Sequence, residues 1–336
     1  MRKIKTGSFF CGCGGSDLGL IGGFKYLNKK YKKLPFHVNY AVDIDKKAVE
    51  TYNHNFKHNA IVKSISECKH KDMPEMDLVI GGFPCQSFST VNPTKNPFDE
   101  RGQLYKELAK VLKEKKPKAF IAENVKGLMV LKKGSIFKRV LTEFKKQGYE
   151  LNYKLLHSAD FGIPQKRQRV FIVGIRNDLN IKYEFPKNTH SNDNELNTKG
   201  WVPLSTVIDS LVHKNDKYYF SKKAVEGMKK AKNNMKRGLY QDLNKPCLTI
   251  TSHLAKVSLN SRDPVLLVKP EEELYRRFSP REAARIQSFP DEFEFLGSQG
   301  DAYRQIGNAI PPVLMWHVAK ALNEQVFQNT SLGIIN

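Results

Sequence analysis

The sequence has no uninterrupted apolar stretch of about 18 residues, the length that a membrane-spanning helix requires. Its beginning, MRKIKTGSFFCGCGG, is basic, but glycines break the apolar run after a few residues, which argues against an export signal. Cysteine is scarce, and five cysteines in 336 residues suit reduced thiols better than a disulfide framework, because the number is odd and the chain is long. These absences predict a soluble, cytoplasmic protein that does not associate with a membrane.

Acidic residues are few relative to basic ones. The chain has 56 Lys and Arg against 34 Asp and Glu, and this formal net charge of +22 exceeds what solubility requires. Such an excess favours a polyanionic partner, with nucleic acid ahead of a membrane surface. The alternative is a lysine-rich surface that is merely solvated.

The sequence also lacks a metal-binding pattern and a phosphate-binding loop. Cys11 and Cys13 are close together, but no second close Cys or Cys/His pair completes a zinc site, so they are interpreted as small loop residues. The glycines around them, in SFFCGCGGSDLGL, follow a hydrophobic strand and let a ligand approach the backbone. This turn is neither GxxxxGK[ST] nor GxGxxG, since position 17 is Asp, so a phosphate cradle is disfavoured.

Short apolar runs alternate with helical patterns from residue 1 to about 185, which predicts a parallel sheet covered by helices. The candidate strands are KTGSFF, FHVNYAV, MDLVIGG, KAFIAEN and RVFIVGI, and the candidate helices are LYKELAKVLKEKK and SIFKRVLTEFKKQG. The predicted fold is therefore a doubly wound, mostly parallel, Rossmann-like α/β sheet. A helix in PPVLMWHVAKALNEQVF, near the C-terminus, is expected to pack back on it.

This alternation is lost from about 186 to 275, which predicts a second, smaller and irregular domain. Residues 213–237 contain nine Lys or Arg against two acids, with two tyrosines and a phenylalanine among them. This composition is typical of a phosphate-contacting surface, although a solvated helix face explains the segment equally well.

Chemically useful groups follow four of the predicted strands. The glycine turn follows the first, Asp43 ends the second, Cys85 follows the third in GGFPCQSFS, and Glu123 ends the fourth. Because ligands bind beyond the carboxyl ends of parallel strands, we expect these groups on one rim. A glycine turn with an acidic residue suits a nucleoside that lacks phosphates, as in S-adenosylmethionine. Asp43 could otherwise cap the helix that starts near Lys46.

Cys85 and Glu123 are the candidate reactive groups. A cysteine thiolate is strongly nucleophilic, and a buried glutamic acid can stay protonated and donate a hydrogen bond or a proton. The alternatives are a packed small cysteine and a structural carboxylate. The rim that the two residues are expected to share favours the reactive interpretation.

Six motifs in order make the sequence resemble the DNA (cytosine-5) methyltransferases of bacterial restriction-modification systems. They are FFCGCGGSDLGL, GGFPCQSFS, AENVKGL, QKRQRVFIVG, SPREAARIQSFPDEF and QIGNAIPP. The resemblance implies methyl transfer from S-adenosylmethionine to C5 of a flipped cytosine in duplex DNA, with S-adenosylhomocysteine as product and no metal. It also implies a catalytic domain of 1–185 and 304–336, and a target-recognition domain and hinge of 186–303 whose variable region is about 186–275.

The roles of the reactive residues are likewise implied by the resemblance. Cys85 would add to C6 of cytosine, while Glu123 would contact N3 and the exocyclic amine. Arg169 would contact O2 of the base, and Arg167 would support the nucleophile and its loop. The carbonyl of Pro84 would accept a hydrogen bond from the cytosine amine.

Two sets of binding residues follow from the same motifs. Those expected at the cofactor are Phe10, Gly12, Gly14, Gly15, Asp43, Ile44, Ser64, Ile65, Pro84 and Asn308. Those expected at the DNA are Gln86, Ser87, Ser89, Arg101, Thr249 and Thr251, and residues 84 to about 103 would form a loop that closes over it. The chain departs from the family in two places. In KSIS, Ser64 stands where the family often has an acidic residue that meets the adenine amine. The link between Gly15 and Asp43 is longer than usual and contains NKKYKK, which predicts a surface insertion.

The expected partner is double-stranded DNA, with a cognate restriction endonuclease as a possible functional partner and no stable protein partner, so the chain is expected to be a monomer. An orphan methylase is equally compatible, and the enzyme would associate with the nucleoid when on DNA. Flipping a base out of the duplex would account for the two lobes and the basic charge. Two alternatives are a tRNA cytosine-5 methyltransferase, disfavoured by Phe83 before Pro84 and by the long recognition region, and a catalytically idle DNA-binding regulator, disfavoured by the intact reactive residues.

Overall fold

The computed structural model of the chain describes residues 3–84, 103–193, 197–232, 239–254 and 264–328. Within these ranges the strands are β1 (Ile4–Phe9), β2 (Phe24–Tyr26), β3 (Lys29–Tyr31), β4 (Phe36–Asp43), β5 (Ile61–Val62), β6 (Leu78–Gly81), β7 (Ala119–Val125), β8 (Tyr149–His157), β9 (Gln165–Lys166), β10 (Gln168–Arg176), β11 (His190–Ser191), β12 (Lys199–Gly200), β13 (Cys247–Leu248), β14 (Leu266–Lys269) and β15 (Leu274–Arg276). The α-helices are α1 (Gly15–Ile21), α2 (Lys46–Asn55), α3 (Leu104–Lys115), α4 (Gly127–Val130), α5 (Ser135–Lys145), α6 (Lys222–Lys232), α7 (Pro280–Ile286), α8 (Gln299–Asn308) and α9 (Pro312–Leu322).

Seven strands form the central sheet, in the order β5-β4-β1-β6-β7-β10-β8. The strands from β5 to β7 in this order are parallel neighbours, whereas β10 is antiparallel to both β7 and β8. The predicted mostly parallel α/β sheet is confirmed, and its five predicted strands correspond to β1, β4, β6, β7 and β10. The sequence patterns do not predict β8 and the short β5.

The direction of β10 corrects one expectation. The run RVFIVGI was grouped with the parallel strands, but it lies antiparallel to β7, with Arg169 opposite Val125 and Phe171 opposite Glu123. The beginning of β10 therefore lies at the same rim as the ends of β1, β4, β6 and β7. This direction brings Arg167 and Arg169 to that rim.

Helices cover both faces of the sheet, and each face has its own apolar core. On one face α1 and α9 bury Leu20, Leu314 and Val318 against the strands. On the other face α3 and α5 bury Leu108 and Val140. Because both faces are covered, a central strand such as β6 is buried at every position instead of alternating.

The expected return of the C-terminal helix to the sheet is confirmed, because α9 packs closely against α1. A Cβ atom at Gly19 of α1 would lie 2.3 Å from the carbonyl oxygen of Pro312, so only glycine permits this approach. The predicted surface insertion is the hairpin of β2 and β3. Its Tyr31 ring packs edge-on against Trp316, with 5.2 Å between the ring centroids, while its lysines are exposed.

A third apolar core joins the predicted recognition region to the glycine turn. It is built around Ile250, Phe278 and Tyr303, and it includes Cys13. Helix α8 crosses the predicted boundary between 303 and 304, so the division into domains remains a prediction. The four cysteines that the described ranges contain are buried free thiols. None of the helices in those ranges is long and apolar enough to cross a membrane.

Candidate active site

The backbone turns sharply between β1 and α1. Phe10, Gly12 and Gly14 have positive φ angles of 57°, 54° and 95°. At Gly14 a Cβ atom would also lie 2.3 Å from a ring carbon of Phe56, so this position requires glycine. A left-handed phenylalanine is strained, and strain of this kind persists mainly where function imposes it.

The turn opens into a cleft of about 1370 Å³ at the rim of the sheet. This volume exceeds the roughly 300–1,000 Å³ of most small-ligand pockets. The predicted site residues that line it are Phe10, Gly12, Gly15, Asp43, Ile44, Ser64, Ile65, Pro84, Glu123, Arg167, Arg169 and Asn308. Gly14, Thr249 and Thr251 are described but are not among the lining residues.

Asp43 fixes the glycine turn to the end of β4. Its Oδ2 atom accepts a hydrogen bond from the backbone of Gly12 at 2.8 Å, and its Oδ1 atom accepts one from the backbone of Asp45 at 2.8 Å. Burial raises the pKa of the Asp43 carboxyl, and these backbone hydrogen bonds oppose the shift. The alternative that Asp43 caps the next helix is wrong, because Asp45 caps α2 by accepting from the backbone of Lys47 and Ala48.

Ser64 caps a short 3-10 helix, Ile65–Glu67. Its Oγ atom accepts from the backbone of Ser66, and Glu67 accepts from the backbone of Ser64 in return. Ser64 and Ser66 also share a hydrogen bond of 2.7 Å between their hydroxyls. The nearby acid, Glu67, is thus engaged in the cap, and hydroxyl groups line this part of the cleft.

Glu123 and Arg169 form a buried ion pair at the rim. The Oε1 atom of Glu123 lies 3.0 Å from Nε of Arg169, and Glu123 is only 9% exposed. Among the described residues no hydrogen-bond donor is aligned with this Oε1 atom. Burial raises the pKa of the Glu123 carboxyl, while Arg169 and, more weakly, Arg167 lower it. The net shift is upward, so this carboxyl holds a proton more readily than an exposed one does.

Arg167 is fully buried and connects separate segments of the chain. Its Nη atoms donate to the carbonyl oxygens of Ile250, Gly307 and Ala309, each at 3.0 Å. Its Nε atom has no partner within the described ranges. The guanidinium therefore ties the beginning of β10 to the recognition region and to the turn before α9.

Two buried glutamines that the sequence analysis did not single out extend this junction. Gln165 donates to the side chain of Gln287 at 2.5 Å and accepts from the backbone of Ile250 at 3.0 Å. Gln287 donates in turn to the carbonyl of Ala309 at 2.6 Å. Both lie in motifs that carry the resemblance, QKRQRVFIVG and SPREAARIQSFPDEF, so the signal was present in the sequence, but no role was assigned to them.

Asn124 positions the residues before the predicted nucleophile. Its Nδ2 atom donates to the carbonyl oxygen of Phe83 at 2.8 Å, and its Oδ1 atom accepts from the backbone of Val125. This contact holds the chain that leads into Pro84. The predicted residues Cys85, Gln86, Ser87, Ser89 and Arg101 lie outside the described residues, so their roles remain predictions.

The hydroxyl groups of the two predicted DNA-binding threonines form hydrogen bonds within the protein. Thr249 donates its hydroxyl to the carbonyl of Lys166 at 2.8 Å, and the hydroxyl of Thr251 accepts from the backbone of His253 at 3.1 Å. Within the described ranges no group of three or more His, Cys, Asp or Glu side chains could hold a metal ion.

Solved structures of other proteins share the fold of this chain. In structure, the chain is similar to a DNMT2 variant of Spodoptera frugiperda, with a TM-score of 0.73, 19% identity and coverage of 95% of this chain and 99% of that one. It is also similar to the methyltransferase EhMeth of Entamoeba histolytica, with a TM-score of 0.72, 19% identity and coverage of 96% and 99%. At this identity the likeness concerns the fold.

Sequence similarity extends over nearly the whole chain. It is 34% identical to the Type II methyltransferase M.FnuDI of Fusobacterium nucleatum, over 96% of this chain and 94% of that protein. It is 32% identical to the Type II methyltransferase M.NgoPII of Neisseria gonorrhoeae, over 96% of each chain. The family model for C-5 cytosine-specific DNA methylases matches residues 4–324. The chain therefore belongs to the C-5 cytosine-specific DNA methylase family.

Proposed function

We propose that this protein transfers a methyl group from S-adenosylmethionine to C5 of a flipped cytosine in double-stranded DNA, through a covalent bond between Cys85 and C6. The observation that carries the proposal is the buried pair of Glu123 and Arg169, which lines the same cleft as the glycine turn and Asp43. One cleft thus combines a nucleoside site with a proton donor.

The lining residues fit S-adenosylmethionine, which supplies an electrophilic methyl group when bound. The glycine turn brings the backbone close to the cleft, and Asp43 has oxygen lone pairs for ribose hydroxyls beyond its two backbone contacts. Ile44, 69% exposed, offers an apolar surface for a base. Phe10 and Asn308 complete the proposed cofactor set, together with Ser64 and Ile65.

The reaction follows from the roles proposed for three side chains. The Cys85 thiolate adds to C6 of cytosine, and the electron pair of the C5–C6 double bond becomes available at C5. Glu123 donates its proton toward N3, and Arg169 binds O2, so that negative charge on the ring is stabilised. When C5 takes the methyl group, S-adenosylhomocysteine is the leaving group, and N3 returns its proton to the Glu123 carboxylate. Water then takes the C5 proton, and departure of the thiolate restores the C5–C6 double bond.

Burial of Glu123 supports its role as the acid. A carboxyl whose pKa lies above the ordinary value retains its proton at a pH where an exposed glutamate is ionised. Arg169 limits this shift, and the same guanidinium is available to the cytosine oxygen. Arg167 would act through the backbone segments that it holds, as a positioning residue.

Duplex DNA is the proposed substrate, and residues 186–303 are the proposed reader of its sequence. A stacked cytosine cannot meet a thiolate on one side and a methyl donor on the other, so the base must leave the helix at a cost of a few kcal/mol. The net charge of +22 supplies phosphate contacts that offset this cost. The proposed setting is the cytoplasm, where the protein would act as a monomer and modify DNA beside a cognate restriction endonuclease.

Transfer of labelled methyl groups tests the function. Wild-type protein and Cys85→Ser are incubated with labelled S-adenosylmethionine and either genomic DNA or tRNA, and the modified DNA is sequenced for 5-methylcytosine. We expect label in DNA at one short sequence with wild type only. Label in tRNA alone would favour the RNA enzyme, and DNA binding without transfer would favour an idle regulator.

A further inference from the structure

The turn after α4 carries two consecutive lysines in a strained backbone conformation. Lys132 has φ 47° and ψ 48°, Lys133 has φ 56° and ψ 33°, and Gly134 follows with φ 80°. The left-handed region is unfavourable for residues with a Cβ atom, and two such residues in succession are rarer still. Strain of this kind is found mainly at binding and catalytic sites.

The neighbouring structure holds this turn in place. The backbone of Ser135, the first residue of α5, donates to the carbonyl of Lys132. A Cβ atom at Gly134 would lie 3.2 Å from the carbonyl oxygen of Met129, so the turn is closely packed underneath. Both lysines are exposed, so their side chains are accessible to a ligand.

The turn forms part of the mouth of the active-site cleft. Val130, Leu131 and Lys132 line the same cleft as Glu123 and Arg169. Val130 is 68% exposed, although it is apolar and belongs to a helix. Among the described residues nothing covers Val130, so the described part of this side of the mouth is open to a large ligand.

The positive charge of the turn is not neutralised by the described part of the protein. Within those ranges no carboxylate lies in ion-pair distance of Lys132 or Lys133, whereas Glu107, which lines the same cleft, is paired with Lys110 at 2.7 Å. Lys126 nearby donates to the side chain of Gln168 at 3.0 Å. That partner is neutral, so Lys126 also keeps its charge. The two turn lysines are available to an anionic ligand, because no described carboxylate pairs with them.

We propose that Lys132 and Lys133 bind phosphates of the DNA strand beside the target cytosine and hold that strand at the mouth of the cleft. The inference rests on the proposed function, and it adds a contact outside the predicted DNA-binding residues. A turn whose backbone is held by these contacts loses less conformational freedom on binding a polyanion than a loop without them. It suits backbone contacts, which position the duplex without reading its sequence.

The test compares two double variants that make the same chemical change in different places. In Lys132→Asn with Lys133→Asn, asparagine tolerates the left-handed backbone but carries no charge. The control is Lys113→Asn with Lys116→Asn. Lys116 is also exposed and left-handed, with φ 44°. It follows α3 and precedes β7, so it lies at the end of the parallel strands that is opposite the cleft.

Binding of a short random-sequence duplex is measured by fluorescence anisotropy over a range of NaCl concentrations. The slope of log affinity against log salt should become shallower by about 0.9 for each phosphate that is no longer bound, or about 1.8 for the turn variant, and should change much less for the control. Replacing both turn lysines with arginine should restore the slope. Thermal unfolding shows whether each variant is folded, and the single change Lys133→Asn serves if the double variant is not.

Methyl transfer by wild type and cofactor affinity of all variants are measured in the same preparations. If wild type methylates DNA but the turn variant keeps the wild-type slope, or the slope of the control falls as much, the assignment of the lysines is overturned. Weaker cofactor binding with an unchanged slope would also overturn it. A wild-type protein that binds DNA without methylating it would refute the proposed function and not this contact.

Discussion

Replacing Asp43 with alanine is expected to weaken S-adenosylmethionine binding about ten- to a hundredfold while DNA binding stays nearly unchanged. The two carboxylate oxygens each accept one backbone hydrogen bond at 2.8 Å, from Gly12 and Asp45, and each keeps a lone pair for a ribose hydroxyl. A hydrogen bond to a charged group contributes roughly 1.5–3 kcal/mol. That range corresponds to the expected loss, because about 1.4 kcal/mol is tenfold in Kd.

Asp77 provides a matched control for this prediction. Its Oδ2 atom accepts from the backbone of Lys5 at 3.0 Å, at the other end of β1 and away from the cleft. Asp77→Ala should lower the free energy of unfolding without changing cofactor affinity, whereas Asp43→Ala should lower both. Calorimetric titration with S-adenosylmethionine and thermal unfolding measure the two effects. Wild-type affinity in Asp43→Ala, or an equal loss in Asp77→Ala, would refute the role of Asp43.

Three further predictions concern residues around the same cleft. Ser64→Asp should keep the helix cap, since Asp caps as well as Ser. It should tighten cofactor binding by up to about tenfold in the same titration, and weaker binding would remove this position from the adenine site. Asn124→Ala deletes the 2.8 Å hydrogen bond to the Phe83 carbonyl and should lower the free energy of unfolding by about 1–3 kcal/mol. It should slow methyl transfer at saturating substrates and leave the cofactor Kd unchanged. An equal loss of cofactor affinity would contradict this prediction. Burial raises the pKa of Asp17 above its ordinary value of 3.8, so the folded protein keeps this proton at a pH where the unfolded chain has lost it. The free energy of unfolding should therefore fall as the pH rises from about 4, and Asp17→Asn should lack this part of the decline. Parallel pH profiles of wild type and Asp17→Asn would contradict this prediction.

The sequence predicts the parallel part of the sheet because those strands are buried on both faces and read as apolar runs. Strand β8 escapes prediction for the opposite reason. It lies at the edge of the sheet, and its residues, YELNYKLLH, mix exposed polar and charged side chains with buried ones. Such a strand has neither a continuous apolar run nor a strict alternation.

The direction of β10 shows what strand patterns leave open at the candidate site. An apolar run looks the same in a parallel and an antiparallel strand, so the patterns do not predict that Arg169 meets Glu123 at 3.0 Å. The motif resemblance expected both residues at the cytosine. Their pairing in space adds the positive charge that limits the rise of the Glu123 pKa, which burial causes.

Spacing alone also could not separate two neighbouring aspartates. Asp43 and Asp45 both precede α2, and either could cap it. The structure assigns the cap to Asp45, which also pairs with Arg304 at 3.1 Å, and leaves Asp43 turned toward the glycine turn. Which of the two aspartates caps the helix depends on the backbone conformation at each position. Residue propensities do not distinguish positions that are two residues apart.

Covalent trapping tests the central claim, that Cys85 forms a bond to C6 of the target cytosine. Once sequencing has identified the target, a duplex is made with fluorine at C5 of that cytosine, because fluorine cannot leave as the proton does. With S-adenosylmethionine, wild-type protein should form a protein–DNA complex that survives denaturing electrophoresis. Cys85→Ser should form none, since a serine hydroxyl is far less ionised than a thiol. Alanine at any of the other four cysteines should leave trapping intact. A complex that persists in Cys85→Ser, or that disappears only when another cysteine is changed, would contradict the role of Cys85 as the nucleophile.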